Sequence, residues 1–199
     1  MSVDLQALYP KLIHLMLDAV FVVDADHKIL FVSDACESLL GYRADELVGT
    51  LITYYMHPED LAITKASIKR VMNGQPHLDF RNRYLHKNGS VVHVLWSARW
   101  SDEEQVRIGV ARDVTAQVQA EDDLRFLAHH DPLTKLTNRS LFYGRLEAAL
   151  STAKRYQNRF ALLFLDVNDF KRINDVHGHA VGDAVLCEVA RRLSGCVRE

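Results

Sequence analysis

The chain has 199 residues, room for one large domain or two small ones, with 48% hydrophobic and 25% charged side chains. That balance is globular and argues against a mainly disordered chain. Twenty-four Lys and Arg against 26 Asp and Glu leave a net charge of −2, so no overall field draws the protein to nucleic acid or to an anionic membrane. No apolar run reaches the ~18–20 residues of a membrane span. The first residues carry Asp4, Lys11 and Asp18, which does not suit a signal peptide. Cys36, Cys187 and Cys196 are odd in number and lack a C-x-x-C spacing, so neither a disulfide framework nor a structural zinc is expected. They read as small buried side chains. A cytoplasmic protein is the expectation.

Leu5, Leu8, Leu12, Leu15 and Met16 recur at helical spacing and predict an amphipathic N-terminal helix. Ala19–Val23 and Ile29–Val32 read as strands around the polar turn Asp24-Ala25-Asp26-His27-Lys28. Ser33–Glu46 reads as two short helical turns broken at Gly41. A helix follows Pro58 and stops at Asn73-Gly74. His77–Leu85, Val91–Trp100 and Gln105–Arg112 are strand-like, and Asn88-Gly89 is the pair a two-residue hairpin prefers. From Thr115 to His129 the pattern becomes a polar helix with a narrow seam of Ala120, Leu124 and Leu127, suited to a short coiled coil or to a solvated connector.

After Pro132 a helix is predicted over about Ser140–Lys154, then a largely apolar strand over Phe160–Val167, buried on both sides. A second helix carries Leu186, Val189, Ala190, Leu193 and Val197. One strand cannot form a sheet. Phe160–Val167 is therefore expected to be poorly supported in this chain, or paired across chains.

Asp166 falls at the carboxyl end of that strand, where open α/β sheets place ligands. A carboxylate there can hold a hard cation beside phosphate oxygens, and the amides of Asp169, Phe170 and Lys171 open a helix whose N-terminus attracts anions. Equally, Asp166, Asn168 and Asp169 could simply cap that helix. Spacing alone leaves both readings open.

The segment His130-Asp131-Pro132-Leu133-Thr134-Lys135-Leu136-Thr137-Asn138-Arg139 resembles the opening of the GGDEF family, the diguanylate cyclases. Phe164–Leu186 resembles the same family's metal and guanine half-site, so the likeness covers roughly residues 129–199. It implies Mg²⁺ held by the Asp166 side chain and the Val167 carbonyl. It also implies GTP phosphates on the amides of Asp169, Phe170 and Lys171, and guanine read by Asn174 and Asp183. An amide and a carboxylate suit guanine's mixed edge. Asn168 stands where the family often has Asp. The Gly-Gly-Asp/Glu-Glu-Phe motif is not reached by Glu199, so the chain is expected to be a fragment that synthesises nothing alone.

The first half is similar to a PAS sensory domain, through Gly41-Tyr42, Glu46-Leu47-Val48-Gly49, His57-Pro58-Glu59-Asp60, Asn88-Gly89 and Arg112-Asp113-Val114-Thr115. The adduct-forming cysteine of LOV flavin domains is excluded by Thr50-Leu51-Ile52-Thr53. No histidine lies in Leu61–Met72, so haem is not expected and His57 reads as structural. Val92, Val94, Trp96, Ala98 and Trp100 share one strand face. This stripe reads as core or dimer contact first and as a pocket second, with Trp96 and Trp100 its candidates; no PAS ligand is named.

The expected architecture is α+β: an antiparallel PAS sheet flanked by helices over 1–114, a helical linker over 115–130, and a partial α/β GGDEF domain, nucleotidyl-cyclase-like, over 131–199. The resemblance implies a parent that condenses two GTP into cyclic di-GMP with Mg²⁺, working as a homodimer through PAS and linker. Two alternatives stand beside it. One is a degenerate GGDEF domain that binds GTP to regulate an adjacent phosphodiesterase domain; the other is a purely sensing and dimerising module.

Overall fold

A computed structural model describes residues 11 and 13–196. Most of the predicted N-terminal helix, with Leu5, Leu8 and Leu12, lies outside the described residues; Leu15 and Met16 are described and are exposed. The chain divides into two compact units between Gln119 and Ala120.

The first unit is built on a five-stranded antiparallel sheet. Its strands are β1 (Ala19–Asp24), β2 (Ile29–Val32), β3 (His77–Leu85), β4 (Val91–Ser101) and β5 (Val106–Asp113), in the order β2-β1-β5-β4-β3. The β1–β2 turn is tied by Asp24, whose Oδ1 accepts from the amides of Asp26 and Lys28, while His27 takes a left-handed φ of 69°. Between β2 and β3 the chain lays its helices over one face: α1 (Ala35–Leu40), α2 (Ala44–Leu47), single 3-10 turns at Ile52–Tyr55 and Pro58–Asp60, and α3 (Leu61–Met72). Gly41 ends α1 at φ 76°, and a side-chain carbon there would collide with the His86 ring.

Alternation decides which face is buried. Val92, Val94 and Trp96 of β4 point inward and meet Phe21 and Val23 of β1 with Tyr84 of β3. The β3–β4 connection is wider than the two-residue hairpin expected from Asn88-Gly89. His86 donates to the Ser90 carbonyl, and Asn88 Oδ1 accepts from Ser90, so five residues make the turn.

The second unit, among the described residues, consists of helices and connecting segments. The helix α4 (Thr115–His129) leads to α5 (Arg139–Tyr156), α6 (Phe170–His177) and α7 (His179–Cys196). The strand predicted over Phe160–Val167 is not formed. Phe164 is 88% exposed and Leu163 73%. The physical reason is the absence of neighbours: a strand's amides and carbonyls need a second strand, and no other strand lies in this unit's described residues. Of the cysteines only Cys36 is buried; Cys187 and Cys196 sit on exposed positions of α7, correcting the expectation that all three are interior.

Candidate functional site

The residues singled out for nucleotide chemistry lie on the loop before α6 and on the α6–α7 hairpin. Asp166 is exposed, and its Oδ1 accepts from the Val167 amide at 2.9 Å. Asp169 turns the chain into α6 with φ 55° and ψ 23°, and its side chain does not cap the helix. The first amides of α6 have no partner within the helix, as at any helix start. The capping alternative for Asp169 therefore fails, while Asp166 binds only the amide next to it.

Asn174 lies one turn before the end of α6, where its carbonyl accepts from Gly178 at 2.9 Å. Its side chain packs on Gly182, which is buried in the hairpin. A Cβ at Gly182 would collide with the Asn174 carboxamide and press on the Phe170 ring. The hairpin thus holds Asn174 beside the residue that precedes Asp183. His177 and His179, on either side of Gly178, are exposed.

No three His, Cys, Asp or Glu side chains among the described residues converge as a metal cage. Asp166 offers one carboxylate and Val167 a carbonyl. Such a small oxygen donor set fits Mg²⁺ that arrives with phosphate oxygens and water, rather than a metal held by protein alone.

The segment from His130 to Arg139 is folded on itself. Asp131 Oδ1 accepts from both the amide and the hydroxyl of Thr134 at 2.7 Å. These bonds hold its carboxyl below the usual carboxylate range. Lys135 takes φ 62°, and the Asp131 amide closes the loop on the Leu136 carbonyl at 2.8 Å. Asn138 caps α5 by accepting from Leu141 at 3.0 Å, and its Nδ2 donates back to the Ala128 carbonyl at 2.9 Å. One side chain therefore fastens the end of α4 to the start of α5. His130 stacks on Phe126 at 4.5 Å, which gives it a packing role.

In the first unit the sheet and α3 enclose a cavity. Trp96 lines it and Trp100 does not. His57 donates its amide to the Arg83 carbonyl, while its ring Nδ1 lies 4.0 Å from Glu59 and has no hydrogen-bond partner.

Residues 29–111 match the model of the PAS fold, and residues 128–199 match that of the diguanylate cyclase GGDEF domain. The diguanylate cyclase DgcM of Escherichia coli K12 is 36% identical over 120 residues, covering 58% of this chain and 29% of its own length. A diguanylate cyclase of Vibrio cholerae is 27% identical over 186 residues, covering 90% of this chain and 58% of its own. The chain is a PAS domain followed by part of a GGDEF domain. It is related to diguanylate cyclases and spans less than two thirds of the length of these relatives. The crystal structure of the PAS domain of a Colwellia psychrerythraea protein superposes with a TM-score of 0.52. At 21% identity it covers 57% of this chain and 99% of that one, and it supports the PAS fold alone.

Two groups on the PAS cavity escape a reading by family motif: Arg107 and Asn82, both buried. The signal for Arg107 was its register. Arg107, Gly109 and Ala111 face inward on β5 while Ile108 between them is exposed, so the charged residue lies inside and the apolar one outside. Asn82 gives no comparable sign, because its strand alternates irregularly.

The start of the linker is fixed to the PAS sheet. Thr115 Oγ1 accepts from the His93 amide of β4 at 2.9 Å, and the Val114 amide donates to the His93 carbonyl at 2.9 Å. Asp113 in turn accepts from the Thr115 amide at 2.8 Å. Farther along α4, Ala120, Leu124 and Leu127 are exposed. No described helix is long and apolar enough to cross a membrane.

Proposed function

We propose that the chain is the sensory and linker region, with the first part of the catalytic domain, of a diguanylate cyclase that condenses two GTP into cyclic di-GMP and pyrophosphate. The observation that carries this reading is similarity to a diguanylate cyclase across 90% of the chain, PAS and GGDEF parts in one order. We place the domain limits at 1–114 for the sensor, 115–130 for the linker and 131–199 for the GGDEF part.

In this reading the residues divide the nucleotide between them. The amides of Asp169, Phe170 and Lys171 at the α6 N-terminus receive phosphate oxygens, where the helix dipole favours negative charge. Asn174 and Asp183 hydrogen-bond the guanine edge, and Gly182 keeps the Asn174 carboxamide in place. Asp166 and the Val167 carbonyl hold Mg²⁺, which when bound neutralises charge on the phosphates. The seam of Ala120, Leu124 and Leu127 pairs two copies, bringing two GTP-loaded domains together. A signal in the PAS domain reaches that seam through the His93–Thr115 contact and biases the helix between two arrangements.

The test is Mg²⁺-dependent conversion of GTP to cyclic di-GMP by the protein carrying the complete second domain, beside Asp166→Ala. Turnover that disappears in the variant is the expected result. GTP binding without turnover in either protein would overturn the cyclase and leave a regulatory nucleotide-binding domain.

A further inference from the structure

Three residues that line the PAS cavity carry a buried polar atom with no hydrogen-bond partner: Arg107 Nη1, Trp96 Nε1 and Asn82 Oδ1. Two are donors and one is an acceptor. The residues are 7%, 9% and 4% exposed, in that order. Native interiors leave few such atoms, so three around one cavity call for a molecule that joins them. The other polar side chains of the lining are already engaged. Asn82 Nδ2 donates to Thr64 Oγ1 at 3.0 Å, and Ser67 pairs with His77 Nδ1 at 2.7 Å.

Charge separates an anion from water as the occupant. A cation removed from water without a counter-ion is among the costliest groups a protein can bury, and native interiors pair it. Asp24, whose charge acts on Arg107, already accepts from two amides of its own turn through Oδ1. Tyr84, the other group acting on it, is a neutral phenol that burial holds far above its usual pKa. Waters would meet the three hydrogen bonds and leave the guanidinium without a counter-charge.

Size and shape narrow the anion. The cavity volume is about 40 Å³, room for roughly three waters at ~10–15 Å³ each. Three oxygens bonded to one central atom lie closer together than hydrogen-bonded waters, which stay ~2.8 Å apart. A planar anion of three oxygens around one atom therefore needs no more room than a triangle of three waters. The donors converge on such a group. Trp96 stands opposite Ala111 in the register, yet its ring leans over Gly109, two residues along β5 toward Arg107. The acceptor decides the protonation state. An anion that keeps a hydroxyl hydrogen gives Asn82 Oδ1 its donor, whereas one without a hydrogen turns a lone pair toward it.

We propose that the PAS cavity binds bicarbonate. Two of its oxygens accept from the Arg107 guanidinium and the Trp96 indole N–H, and its hydroxyl donates to the Asn82 carboxamide oxygen. Three oxygens thus meet three unpartnered atoms, and one negative charge meets one positive charge. The apolar part of the lining, which includes Phe21, Val23 and Ile68, keeps water from competing. Trp96 and His93 share β4, so the strand that meets the anion is the one fixed to the start of the linker. Binding itself does not depend on what the second unit catalyses.

The experiment uses the whole chain in sodium bicarbonate at about pH 8. Sodium nitrate serves as the planar isostere without a hydrogen, and sodium chloride matches ionic strength. For four non-hydrogen atoms a Kd of about 1 mM lies well inside the limit for very small ligands. Bicarbonate at tenfold its Kd should raise the melting temperature by about 3 °C or more. Nitrate should need at least about ten times the concentration for the same rise, because Asn82 stays unpaired. Chloride should have no effect, and Arg107→Met should lose the bicarbonate response. A measurement on the unaltered protein guards against a variant that does not fold. The indole N–H resonance of Trp96, told from that of Trp100 by Trp100→Phe, should move with bicarbonate and stay in place with chloride. A Trp96 resonance stationary up to about 50 mM bicarbonate, far above the Kd expected for a ligand of this size, overturns the proposal and leaves a cavity filled by water. So does an equal response to nitrate or chloride, or a response retained in Arg107→Met.

Discussion

Asp60 holds Arg83 with three hydrogen bonds: from the Arg83 amide at 2.7 Å, from Nε at 3.1 Å and from Nη2 at 2.6 Å. Glu59 adds a fourth to Nη2 at 2.9 Å. The His57-Pro58-Glu59-Asp60 segment is thus a clamp that fastens the start of α3 to β3. Glu59 and Asp60 are both engaged by Arg83, and the His57 amide donates to the Arg83 carbonyl.

The clamp makes stability depend on pH. The Arg83 hydrogen bonds hold the Asp60 carboxyl below its ordinary range. Its folded pKa is depressed, so its contribution is complete above the unfolded value of about 4 and is lost as pH falls through the folded value. Asp60→Asn should therefore destabilise the PAS domain at pH 7 by about 2 kcal/mol, the scale of charge-assisted hydrogen bonds. Denaturant unfolding of both proteins at pH 7 and pH 3 would check this. A gap that stays the same size at pH 3 would show that charge is not the cause.

The PAS half was largely legible in the sequence, because its signals are local. Strand alternation, the break at Gly41 and the Asp113-Val114-Thr115 terminus each act within a few residues, and each lies where expected. Phe160–Val167 was legible in part: the strand preference is not realised, and the poor support expected from its lack of neighbours is what is seen. Its apolar run states a preference, but a strand is a relation between two segments, and the second is not among the described residues. Arg107 was missed for another reason. Family motifs mark shared turns, whereas a buried cation in an inward register belongs to one particular cavity. For the residues proposed to meet the nucleotide, the family motif supplied the positions, and the hairpin adds the Gly182 contact that explains how Asn174 is seated.

Thr115 is where a PAS signal would enter the linker. Thr115→Val keeps the shape of the side chain and removes the acceptor for the His93 amide. Exchange of the His93 amide with solvent deuterium should speed up several-fold, matching a loss of about 1 kcal/mol. Amides in the middle of β1 should be unaffected. Unchanged exchange at His93 would mean that Thr115 does not anchor the helix.

Asn138 is the corresponding anchor at the far end of the linker. Asn138→Ala removes the cap on Leu141 and the donor to Ala128 together. The first turn of α5 should lose about 1 kcal/mol of local stability. Hydrogen exchange would show faster amides at Leu141 and Phe142 with little change at Val118 near the start of α4. If Leu141 kept its protection, the cap would be incidental to the turn.

Gly182 and Gly144 give opposite expectations for the same substitution. Glycine inside a helix costs about 0.5–1 kcal/mol relative to alanine, so Gly→Ala ordinarily stabilises. Gly144 lies within α5 with no atom within 4 Å of an added Cβ, and Gly144→Ala should raise stability by about that amount. At Gly182 the added carbon meets the Asn174 carboxamide and the Phe170 ring. Overpacking of this kind costs about 1–3 kcal/mol, which outweighs the propensity gain. Gly182→Ala should therefore lower the thermal stability of the second unit. In the protein carrying the complete domain it should also weaken GTP binding by displacing Asn174. Circular dichroism melts of the two variants decide the first point and nucleotide titration the second. A Gly182→Ala protein as stable as Gly144→Ala, with GTP affinity intact, would show that the hairpin opens freely and that Asn174 is not seated by the glycine.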